Sequence, residues 1–73
     1  MKRSPVEAIN LLLDDLLTEY NLASDTALAR FLELSPSIVC RLRAGDYPVS
    51  PRVILAIHEA TDISVQDIRT LIA

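Results

Sequence analysis

The sequence predicts an all-α fold, a compact domain of five short helices. Three observations say so. Apolar residues recur at three- and four-residue spacing, no stretch alternates with the period of a strand, and a serine opens each helical segment. With 73 residues the chain forms a single domain spanning 1–73, near the smallest size at which a core holds without disulfides or metal.

The first helix is expected from about Pro5 to Tyr20. Ser4 caps it, Pro5 takes the first helical position and Glu7 completes a capping box. Val6, Ile9, Leu13, Leu16, Leu17 and Tyr20 form one stripe, with Glu7, Asn10, Leu11, Asp14 and Thr18 opposite; Asn21 ends the helix. Ser24 caps the second, Asp25 to Leu32, which turns Leu28, Phe31 and Leu32 inward. Glu33-Leu34 is a turn. Ser35 caps the third helix, Pro36 to Arg43, and Ala44-Gly45 ends it, because glycine adopts a left-handed backbone at little cost. After a loop containing Pro48, Ser50 caps a fourth helix, Pro51 to about Ala60. Ser64 caps the last, with Asp67 three residues on and Val65, Ile68, Leu71 and Ile72 as its apolar residues.

Composition narrows the class. An apolar share of 51% is more than so small a domain can hide, so some of it is expected to face a second copy. Leu11, Val65, Ile68, Leu71 and Ile72 are the candidates for a homodimer interface; the alternative packs the last helix on the first and leaves a monomer. The single cysteine, Cys40, excludes an intrachain disulfide or a cysteine-based zinc site and fits a cytoplasmic protein. Lys2 and Arg3 are basic, but Glu7, Asp14 and Asp15 break up any signal-peptide core, and no apolar run approaches the roughly 20 residues of a membrane span. No Gly-rich phosphate loop, ligand cluster or nucleophile–base pair is present. The reading is therefore not an enzyme, with no cofactor, metal or small-molecule substrate. Asp14-Asp15 reads as a solvated face, and His58 beside Glu59 as a surface histidine.

A net charge of −3 weighs against nucleic-acid binding, but the charge is unevenly spread. Residues 25–52 hold Arg30, Arg41, Arg43 and Arg52 against Asp25, Glu33 and Asp46, the only long segment with a positive balance. Within it, Thr26 to Gly45 reads as two helices too short to stand alone, so they must pack across one another. Leu28, Ala29 and Leu32 face in from one, Val39 and Leu42 from the other. Ala29 sits at the crossing, where a small residue lets backbones approach, and Leu34 plugs the corner. The outer face of the second keeps Pro36, Ser37, Cys40 and Arg41. Short polar residues at a helix start, with an arginine one turn on, suit entry into the major groove of double-stranded DNA. Each residue also has a plainer reading: Arg41 as a solvated arginine, Ser37 as a good helix start, Arg30 and Arg52 as ordinary surface charges. Arg43 is expected to pair with a carboxylate of the first or second helix.

The run Leu28-Ala29, Leu32, Leu34-Ser35, Val39 and Arg41-Leu42 followed by Gly45 resembles the phage repressor and Cro-like (XRE-type) helix-turn-helix family. The likeness continues through Pro48, Ile57, Ala60, Ile63-Ser64-Val65 and Ile68, covering roughly residues 22–72. It implies a lambda-repressor-like DNA-binding domain with its motif at about 25–43, two copies on a symmetric operator, and a role as a transcriptional repressor or autoregulator. It implies base contacts from Ser35, Pro36, Ser37 and Arg41, and phosphate contacts from Thr26, Arg30 and Arg52. Three positions depart from the pattern. Glu33 stands where the family often has glycine, Asp25 or Thr26 where it has a phosphate-binding glutamine, and Asp46-Tyr47 where its loop is often basic. These acids favour an alternative of another class, a protein-interaction module such as an antirepressor or adaptor that keeps the fold without binding DNA.

Overall fold

The fold was taken from a computed structural model, which describes residues 4–72. Lys2 and Arg3, read above as a basic start, lie outside them. Five α-helices follow in order: α1 Pro5–Glu19, α2 Asp25–Leu32, α3 Pro36–Ala44, α4 Pro51–Ala60 and α5 Val65–Ile72. The Cα radius of gyration is 11.1 Å. A well-packed chain of this length should have about 11 Å, so the helices share one core.

Their ends are fixed by local chemistry. The Ser4, Ser24, Ser35 and Ser64 hydroxyls accept from the amides of Glu7, Ala27, Ile38 and Asp67. Ser50 occupies the same position ahead of α4, but its hydroxyl makes no capping bond and is buried without a partner among the described residues. The expected cap there is positional only. Asn21, Glu33 and Gly45 all have positive φ, at 53°, 57° and 82°, just past the ends of α1, α2 and α3. After each, an amide closes on a carbonyl five residues back: Leu22 on Leu17, Leu34 on Ala29 and Asp46 on Arg41. At Gly45 space decides as well as φ, since a Cβ there would lie 2.8 Å from Cγ2 of Val6.

α1 is the spine. It packs against α2, α3 and α5, while α4 packs against α2 and α5. Because neighbours reach α1 from several directions, its buried arc is wider than one stripe. Ala8 and Leu12 are buried with Ile9, Leu13 and Leu16, whereas Val6 and Tyr20 remain exposed. Tyr20 instead meets Phe31, half-buried on α2, with ring centroids 4.6 Å apart. Thr61 is buried and satisfied: its hydroxyl donates to the Ile57 carbonyl and accepts from the Ile63 amide. His58 is half-buried and not a free surface histidine, its Nδ1 lying 2.7 Å from the Ile63 carbonyl oxygen. Together these three bonds pin the α4–α5 turn.

Candidate nucleic-acid interface

α2 and α3 are joined by three residues, 33–35, and pack closely on each other. Leu28, Ala29, Val39 and Leu42 are all essentially inaccessible between them and α1, and Leu34 is buried in the corner. Fully burying such side chains contributes roughly 1.5–3 kcal/mol each, which is what holds two helices of eight and nine residues in place. α3 packs on α1 and α2 and not on α4 or α5. Its remaining side is open: Ser35, Pro36, Ser37, Cys40, Arg41 and Ala44 are exposed. Positions 37, 40, 41 and 44 recur at helical spacing, so they form one outward face.

At the start of that face the Ser35 and Ser37 hydroxyls lie 3.2 Å apart. Pro36 has no amide to satisfy, and the amide of Ser37 precedes the first intrahelical bond, so it points out of the helix end with positive partial charge. Arg41 follows one turn later. α3 contains no acidic residue, and Arg41 is in no ion pair among the described residues.

Arg43, two residues on, is employed quite differently. Its Nε and Nη2 donate to both carboxylate oxygens of Asp25, at 2.8 and 3.0 Å. Its Nη1 reaches Oδ1 of Asn10 at 2.9 Å and Oδ1 of Asp14 at 2.9 Å. The Asn10 amide returns a bond to the Arg43 carbonyl at 3.0 Å, near the C-terminal end of α3. Burial alone would lower the guanidinium pKa, but the hydrogen bonds and charges of Asp25 and Asp14 outweigh it, so the net shift is upward and the group stays protonated. Arg43 thus fastens α3 to α1 and α2 at once. Asp14 is correspondingly not a purely solvated group, and Asp25, at the first position of α2, has its charge compensated.

The expected phosphate contacts have unequal surroundings. Thr26 and Arg30, one turn apart on α2, are exposed, and Arg30 is in no ion pair among the described residues. Arg52, at the second position of α4, is also exposed. It lines a shallow concavity with Leu34 and Leu55, but Glu33 and Glu59 line the same hollow, so its field is partly offset. The expected dimer residues divide. Leu11 and Leu71 are exposed, at 42% and 53%, while Val65 and Ile72 are half-buried against the core. Ile68 is corrected outright: it is 0% exposed. An eight-residue helix needs an anchor at its middle, and Ile68 is the one fully buried residue of α5, which packs on α1 and α4.

Asn10 was assigned to the solvent side of α1. Its only sequence signal is an amide among leucines and acids, which does not specify a partner 33 residues away. Compared with known protein families, with curated proteins and with solved structures, the chain matches none.

Proposed function

We propose that the chain is a sequence-specific DNA-binding transcriptional regulator of the repressor and Cro-like helix-turn-helix class. One observation carries the reading: α3, braced by α1 and α2, has an open face with Ser35 and Ser37 at its start and, one turn on, an Arg41 in no ion pair among the described residues. In this account α3 enters the major groove. Arg41 donates two bonds to a guanine edge, and Ser37 is small enough to let the helix approach the bases. The open amides at the starts of α2 and α3 meet phosphate oxygens, with Thr26 and Arg30 beside them and Arg52 as the weakest contributor. The pairing of Asp25 with Arg43 removes the repulsion its carboxylate would otherwise present to a phosphate.

With Arg30 and Arg52 as the cationic phosphate contacts, the logarithm of affinity should fall with the logarithm of salt with a slope of about −2 per chain. Recognition by one α3 does not depend on pairing. With Ile68 in the core, pairing on a symmetric operator is left to the exposed Leu11.

The second reading, an adaptor that does not bind DNA, is favoured by Glu33 and Asp46, exposed carboxylates that bracket α3. Selection of bound duplexes from a random pool separates the two. The regulator enriches a defined sequence, and Arg41→Ala loses about 1–3 kcal/mol of discrimination at one base position. A pool left unenriched supports the adaptor.

A further inference from the structure

A second feature, to which α2 and α3 contribute no residue, is one that DNA reading does not use. Between α1 and α5 runs an open trough of about 300 Å³. Its floor is Leu12 and Leu16, continuous with the core, and its far wall is Ile63 and Leu71. Tyr20 closes one end, and it and Leu71 are among the most exposed large apolar side chains, at 39% and 53%. Asp15 and Glu19 line the near wall, both exposed and in no ion pair among the described residues. They lie four residues apart on one helix, so their carboxylates are spaced by about 6 Å along it.

From this combination we infer that the α1–α5 trough is a docking site for a basic amphipathic segment of another protein. Two or three aliphatic side chains would fill the floor, and a pair of lysines or arginines one turn apart would meet Asp15 and Glu19. Charge complementarity selects this occupant over a second copy. α1 from Pro5 to Glu19 has Glu7, Asp14, Asp15 and Glu19 and no basic residue at all. Two troughs facing each other about a two-fold axis would therefore set acids against acids. The inference stands whether or not α3 binds DNA.

The probe is a synthetic helical peptide of leucine and lysine, with lysines at four-residue spacing beside a leucine stripe, labelled and titrated against the intact chain by fluorescence anisotropy. The peptide should bind saturably, and Leu71→Asp should weaken it about tenfold or more, as should Asp15→Lys with Glu19→Lys. Glu33→Lys with Asp46→Lys, an equal change in charge elsewhere, should leave binding unaltered. A peptide with glutamates in place of its lysines should bind only the variant reversed at positions 15 and 19. All the altered positions are exposed, and thermal unfolding verifies each variant before titration. The inference is overturned if the peptide does not bind, or if both charge-reversed variants weaken it equally. It is also overturned if the parent sediments as a dimer that Leu71→Asp splits, since the trough would then belong to a second copy.

Discussion

The open face of α3 and the trough between α1 and α5 differ in almost every physical respect. The first is convex, polar at its start and supplied with an exposed arginine. The second is concave, apolar on its floor and rimmed by carboxylates that are in no ion pair among the described residues. A net charge of −3 describes neither. Charge summed over a chain this small conceals its arrangement, because beyond about 8–10 Å salt screens one face from the other. What the contrast teaches is that a net charge hides where the acids stand: four of the ten lie on α1, while α3 itself carries none.

The comparison can be broken first through stability. The α2–α3 pair is held by burial, the trough wall is not. Leu28→Ala or Leu42→Ala should lose about 2–5 kcal/mol in urea unfolding, whereas Leu71→Ala should change stability by less than about 0.5 kcal/mol. Comparable losses would mean that α5 holds the fold as much as the α2–α3 crossing does.

Next in size is Arg43. Arg43→Met leaves Oδ1 of Asn10 and the Asp25 and Asp14 carboxylates without their partner and should lose about 1–3 kcal/mol. Arg43→Lys should recover only part of this, because a single ammonium cannot span both Asp25 oxygens and Asn10 together. Full recovery by lysine would reduce the network to simple charge pairing.

The smallest effects sharpen the picture at helix starts. Ser24→Ala and Ser35→Ala should each lose about 1 kcal/mol with their caps. Ser50→Ala should lose nothing measurable by the same thermal unfolding assay, since its hydroxyl bonds to nothing among the described residues.

Much of this architecture was legible in the sequence, and particular residues show where legibility stops. Serine before proline, or with an acid within the next three residues, marks helix starts through backbone chemistry that needs no tertiary context, so all five helices begin at the expected residues. Leu28, Ala29, Leu32, Val39 and Leu42 were identifiable as the crossing because two short helices have only one way to bury them. The expected partner for Arg43 on the first or second helix proved to be one on each. Periodicity reports which side of a helix is apolar, not how many neighbours the helix has. Leu12 was therefore missed on α1, and Ile68 was assigned to a surface when it anchors α5. The outward residues of α3 were readable as exposed because they are short and polar. The acid across the hollow from Arg52 was not, since Glu33 meets it only through the packing of α4 on α2.

The central claim, that the open face of α3 binds DNA and the acidic side does not, is tested most directly by amide chemical-shift mapping of the labelled protein with duplex DNA at low salt. The account predicts perturbations gathered at Thr26, Arg30, Ser35, Ser37, Cys40 and Arg41, with Asp15, Glu19 and Leu71 unmoved. Perturbations centred on the trough, or none at saturating DNA, would contradict it.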